Sequence, residues 1–268
     1  MIIDFHTHTF PEKIAAQALH KLAEISGTTP HLNGTEAALI KSMEENGVTY
    51  SVMLPVATKP QQVVDINNHA IEANAKALEE GGGLLSFGAM HCSYENYREE
   101  LKRIKTAGLK GIKLHHDYTN IYFDEERSLN VIQEAFMDGL IVMIHAGNDP
   151  VSKDVHYCQP DRIAKGLDKL AGGKLIASHF GGLMNLEDAK KYLAGRDIYI
   201  DTSMSYHYYG FEALREMIQM HAPDKILFGT DSPWEDQGTG LRMLKSMSLT
   251  DEMIYKITEE NPRRLLGI

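Results

Sequence analysis

Short, almost unbroken apolar runs punctuate the chain at residues 2–5, 51–54, 84–88, 111–114, 140–144, 175–177, 198–200 and 226–228. Runs of Val, Ile, Leu and Met without polar alternation are what parallel strands covered on both faces require. Helical spacing of apolar positions fills the intervals at 61–80, 95–107, 124–138, 159–170, 186–194 and 211–220. Breakers fall at the joints: Pro11 after the first run, Asn46-Gly47 and Ala107-Gly108 before strands, and Asn261-Pro262 opening a short last helix through Leu266. From the third run on, a new run begins about every 30 residues, the length of one strand and helix when about 250 residues make eight such units. The pattern predicts an α/β fold, a (β/α)8 barrel built as one domain over residues 1–268. An open doubly wound sheet would share the local pattern, but no GxGxxG phosphate loop follows any run. The stretch from Phe10 to Asn46 exceeds what one crossover needs and is expected to fold over the barrel mouth as a lid.

Polar residues of one kind interrupt this pattern at one kind of place. His6 and His8 follow the first run, His145 closes the fifth, His179 stands just past the sixth and Asp231 just past the eighth. Strand residues two apart point the same way, so His6 and His8 share a face. In a barrel of parallel strands every C-terminal strand end opens on one side, so all five would ring a single pocket. Imidazoles and a carboxylate without thiolates suit Zn²⁺ and would also accept Mn²⁺, Fe²⁺ or Co²⁺.

Composition narrows the partners. Lys+Arg 27 against Asp+Glu 37 gives −10, with no basic, aromatic-rich stretch, which excludes nucleic acid and anionic membrane surfaces in favour of a small-molecule substrate. Cys92 and Cys158 form no CxxC pair, and no targeting or membrane-spanning run stands out, so a cytoplasmic protein is expected. The oligomeric state stays open, a homodimer included. Met43, Met53, Met90, Met137 and Met143 read as core filler.

Ile3-Asp-Phe-His-Thr-His, Gly111-Ile-Lys-Leu-His, Ile144-His-Ala-Gly, Ala177-Ser-His-Phe-Gly-Gly, Leu227-Phe-Gly-Thr-Asp-Ser-Pro-Trp and Asn261-Pro-Arg-Arg-Leu-Leu-Gly stand in this order along the chain. Together they resemble the successive signatures of the amidohydrolase superfamily, closest to its amidohydrolase-related (family 2) branch. The resemblance implies a distorted TIM barrel holding one divalent metal ion, most simply Zn²⁺, on His6, His8, His145 and Asp231, with His179 orienting or activating the water or the substrate. That branch includes hydrolases and non-oxidative decarboxylases of small carboxylated rings. In two-metal members of the superfamily a bridging lysine or glutamate ends the fourth strand. Here that strand reads Lys113-Leu114-His115-His116-Asp117, so a single ion is expected, with His115 a substrate contact or second-site candidate.

The expected chemistry is hydrolysis of an amide, ester or lactone. A bound divalent ion lowers the pKa of its water from 15.7 toward roughly 7. Asp231 would accept the proton and pass it to the leaving group, while His179 holds the carbonyl oxygen or the water. The alternative is decarboxylation, in which Lys113 is the strand-end cation for a substrate carboxylate. A third reading is a ligand- or metal-binding barrel without turnover, which the complete ligand set opposes. His91 is either a wall of the pocket or a local cap, and Trp234 either stacks on a ring substrate or packs at a loop base. Asn148-Asp149 forms a substrate contact or a turn, and Tyr206, Tyr208 and Tyr209 are candidates to line the mouth.

Overall fold

A computed structural model describes residues 1–268 except Lys153. Its strand segments are β1 (Ile3–Thr7), β2 (Tyr50–Met53), β3 (Gly83–Ser86), β4 (Gly88–Ala89), β5 (Gly111–Leu114), β6 (Ile141–Ile144), β7 (Lys174–Ala177), β8 (Tyr199–Asp201) and β9 (Ile226–Leu227). All neighbouring pairs are parallel, in the orders β1-β2-β3 and β4-β5-β6-β7-β8-β9. Only Phe87 separates β3 from β4, so together they are the third strand of the pattern. At the other seam Phe5 N donates to Phe228 O at 2.8 Å, Asp231 N to His6 O at 2.8 Å and His8 N to Ser232 O at 2.6 Å. The result is the (β/α)8 barrel predicted from the runs.

Alternation within each strand sorts the core into two layers. Ile3, Phe5, Val52, Leu85, Met143 and Ile176 meet in the barrel interior, closed from below by Leu265 and Leu266 of the last helix. Phe5 and Phe87 pack edge to face at 5.7 Å, worth about 0.5–1.5 kcal/mol beyond their burial. The opposite faces, with Ile112, Leu114, Val142 and Ile200, pack under the surrounding helices. Asp4 is fully buried and ties the seam, accepting from Thr230 Oγ1 at 2.6 Å and from Gln237 Nε2 at 2.8 Å. Burial raises its carboxyl to about 6 against the pull of these hydrogen bonds.

The 10–46 insert forms two helices, Glu12–Ser26 and Glu36–Asn46. The second is capped by Thr35, whose hydroxyl accepts from Ala38 N, and is closed by Gly47 at φ 67. Helices Gln237–Ser246 and Asp251–Tyr255 were not singled out by apolar spacing; side-chain caps at Asp236 and Thr250 start them. Met43, Met53, Met90 and Met143 are buried as expected, but Met137 is 71 % exposed, because it ends the helix Glu126–Met137 on its solvent side. No helix among the described residues is long and apolar enough to cross a membrane.

Candidate metal centre

Three side chains converge where β1 and β9 end. His6 Nε2 lies 3.1 Å from His8 Nε2, and Asp231 Oδ1 lies 3.2 and 3.0 Å from these two nitrogens. The far edges of both rings are occupied: His6 Nδ1 faces Asp201 Oδ2 at 2.8 Å and His8 Nδ1 donates to Leu54 O at 2.8 Å. Those contacts place the ring protons on Nδ1, so both Nε2 lone pairs and a carboxylate oxygen point at one spot. Three acceptors this close repel unless a positive charge sits among them. Without an ion a proton serves: burial alone would lower His6, but the Asp201 and Asp231 carboxylates raise it. Burial lowers His8. Although burial opposes it, His6 and His8 hold the Asp231 carboxyl well below the usual range. A two-nitrogen, one-oxygen donor set of this geometry fits a divalent cation.

The backbone is bent to aim these groups. Pairing of β1 with β2 is irregular between Asp4 and Thr7, where the chain passes from filling the barrel with Phe5 to presenting His6 to the site. Asp231 and His179 have φ of 65° and 59°, conformations that cost non-glycine residues about 1–3 kcal/mol and persist only where surroundings fix them. Asp201 fixes one of them. Its Oδ1 accepts from His179 N at 2.9 Å, Ser203 N at 3.0 Å and Ser203 Oγ at 2.5 Å. Burial works against its charge, yet His6 and these donors keep Asp201 far below the ordinary carboxylate range. The sequence reading passed over Asp201, although it follows its apolar run as the ligand-type residues follow theirs.

His145 stands one imidazole further along. Ser203 Oγ gives its proton to Asp201 and so accepts from His179 Nδ1 at 2.8 Å; His179 Nε2 then faces His145 Nδ1 at 3.2 Å. Burial lowers His179 to about 4, and burial, His115 and His179 lower His145 far below its ordinary value, so both are neutral rings near pH 7. On its other edge His145 Nε2 is 4.0 Å from Asp149 Oδ2, which also lies 3.1 Å from His115 Nε2. His115 is stacked between Tyr118 at 3.9 Å and His145 at 4.6 Å. Lys113 lies below, its Nζ donating to Ser178 Oγ at 3.3 Å and pushed down to about 8 by burial. Gly147 holds the turn after His145: at φ 92° it packs so tightly that a Cβ would meet Leu183 N at 2.2 Å.

These groups floor a cavity of roughly 900 Å³. His6, His8, His145, His179 and Asp231 line it, as do Lys113, His115 and Trp234. The insert supplies an outer wall with Phe10, Ile14 and Leu22, facing Leu54, Val56 and Ile66, as expected of a lid. Asp149 and Tyr118 also line it; of these two only Asp149 was singled out in the sequence, and it is both wall and turn, accepting from Val151 N at 2.7 Å. His91 is not on the wall. It is buried beyond the end of β4, and its Nδ1 accepts from Ser93 N at 3.0 Å, which makes it a local cap. Tyr206, Tyr208 and Tyr209 do not line the cavity either; Tyr209 is turned away to accept from Leu186 N at 2.9 Å. No arginine is among the described lining residues, and Lys113 carries the cavity's only lysine ammonium among them.

The sequence matches the family described as amidohydrolase (Amidohydro_2) over residues 3–268. No curated protein matches it. Solved structures share the architecture at low identity. A 5-carboxyvanillate decarboxylase from Sphingomonas paucimobilis is 13% identical with a TM-score of 0.71, covering 100% of this chain and 99% of that one. A probable 2-pyrone-4,6-dicarboxylic acid hydrolase from Acinetobacter baumannii, with citric acid bound, is 16% identical with a TM-score of 0.70, covering 100% and 99%. A dihydroxybenzoic acid decarboxylase from Polaromonas sp. JS666, solved with manganese and 2-nitroresorcinol, is 15% identical with a TM-score of 0.70, covering 99% and 96%.

Proposed function

The chain belongs to the amidohydrolase family, and from that premise we propose that it is a metal-dependent enzyme that removes CO₂ from a small carboxylated ring compound without oxidation. We read residues 1–268 as one domain, in which His6, His8 and Asp231 hold a divalent ion, Zn²⁺ or Mn²⁺, and His145 supplies a fourth ligand through Nδ1 in the tautomer that carries its proton on Nε2, towards Asp149. The observation that carries the reading is the pairing of that acceptor trio with the buried Lys113 ammonium under apolar walls. A carboxylated ring offers a face for the walls and an anion for Lys113. Two of the similar structures described above are decarboxylases of such rings, which moves the expectation of hydrolysis into second place.

When bound, the ion would draw the carboxylate and a neighbouring hydroxyl into register and withdraw charge from the ring. Lys113 holds the carboxylate, Trp234 and His115 flank the ring, and the lid walls exclude water. Asp231, held ionised, takes the proton of the neighbouring ring hydroxyl and, with His179 beside it, passes that proton to the ring carbon as the carbon–carbon bond breaks; the electron pair of that bond returns to the ring and CO₂ leaves.

Hydrolysis remains the second reading because Asp231 is held ionised, as a base that takes a proton from water must be. Metal-loaded protein incubated in D₂O with a panel of hydroxybenzoates and lactones separates the two. Decarboxylation releases CO₂ and leaves deuterium on the ring carbon. Ring opening without CO₂, with ¹⁸O from labelled water in the product, would overturn the first reading in favour of the second.

A further inference from the structure

Apart from the trio on which the proposed function rests, a second set of metal-binding atoms stands in the same wall. His115, His145 and Asp149 each offer one ligand atom, all within 4.8 Å of one another. They are 8, 4 and 6 % exposed, so little water competes for them. His115 Nε2 is 3.1 Å from Asp149 Oδ2, and His145 Nε2 is 4.0 Å from the same oxygen. His145 Nε2 is buried and has no hydrogen-bond partner. With Ser203 Oγ donating to Asp201 and accepting from His179 Nδ1, His145 Nδ1 is the edge that gives a proton to His179 Nε2, so the unpartnered Nε2 bears a bare lone pair. A bare buried acceptor aimed at a carboxylate is unfavourable when left unsatisfied. The stack of Tyr118, His115 and His145, with the two imidazoles tilted by only 14°, keeps both rings edge-on to Asp149.

We propose that His115, His145 and Asp149 form a second divalent-cation site, on the opposite edge of the His145 ring from the His6–His8–Asp231 trio. The cation takes the place of the proton shared by His115 and Asp149 and meets the lone pair of His145. Two imidazoles and a carboxylate accept Zn²⁺, Co²⁺, Ni²⁺ or Mn²⁺. A neutral imidazole offers one lone pair at a time, so a second ion draws His145 away from the first. The second site therefore fills only above the metal concentration that saturates the trio. Its place on the cavity wall offers a second hold for an anionic oxygen of the substrate.

The test is titration of the chelator-stripped full chain with Co²⁺, followed by visible absorbance and by bound cobalt after dialysis. The wild type should show two steps. His115→Ala and Asp149→Asn should each keep the first step and weaken the second by more than the roughly 10–100-fold that loss of an outer partner costs. His8→Ala should lose the first step and keep the second. Circular dichroism checks that each variant is folded; since the two ligand substitutions sit on different elements, one misfolded variant leaves the other to decide. A single wild-type step that neither His115→Ala nor Asp149→Asn alters overturns the second site and leaves the trio standing. A second step unchanged in both variants also overturns it. A single step lost in both but kept in His8→Ala would uphold this site and overturn the assignment of the trio.

Discussion

Asp201 presents one carboxylate oxygen to His6 Nδ1 at 2.8 Å and the other to His179 N at 2.9 Å, so a single buried acid orients the His6 ring and anchors His179. The Asp201→Asn protein loses the charge that fixes the His6 tautomer while keeping its shape. Its metal dissociation constant, measured by chelator competition, should rise about 10–100-fold with an unchanged circular dichroism spectrum. Wild-type affinity would reduce the pair to packing.

His179 is held by Asp201 and Ser203 but lies outside the acceptor trio. His179→Asn should keep metal content and lose about 10²–10⁴ in kcat, read on whichever substrate the panel identifies with cobalt or zinc assayed in parallel. Normal turnover would make it a bystander; metal loss would place it among the ligands.

Gly147 sits with φ 92° against the backbone of Leu183. A methyl group there must displace main chain, so Gly147→Ala should lower stability by about 2–3 kcal/mol in urea unfolding. An unaltered midpoint would show that the turn after His145 relaxes freely.

His116 is buried with only Ser128 Oγ as partner, at 2.9 Å, and burial lowers it to about 3 from an ordinary 6.5. Between these values the unfolded chain binds a proton that the native ring refuses, so stability falls as pH drops through that window. The loss is up to about 1.4 kcal/mol per pH unit for one such group. Urea unfolding of apo protein at several pH values should show a shallower slope for His116→Gln than for wild type. Equal slopes would mean that His116 titrates in the native state as it does in the unfolded chain.

Strand ends were legible because an apolar run followed at once or within a few residues by histidine or aspartate marks its own boundary, as at His145 and Asp231. The pattern carried the eight-strand order and most helix limits, with the helix Phe211–Met220 matching its expected range. Asp201 carried the same mark and was missed because a lone acid after a run also suits a turn. Asp149 and Tyr118 become wall residues only through the fold of the loops after β6 and β5, which local spacing does not encode. His91 sits at a strand end like the others, yet its ring bonds to the nearby Ser93 backbone, a competition between local and long-range partners that sequence position does not decide.

The seam between β1 and β9 has a temporal side. During synthesis His6 and His8 emerge more than 200 residues before Asp231 and its backbone clasp to His6 O become available. Such a contact closes a very long loop and belongs to the slow class of folding events. If the trio holds the proposed ion, tight metal capture reports that the barrel has closed, and a chain lacking the last strand is left with two histidines and no cage.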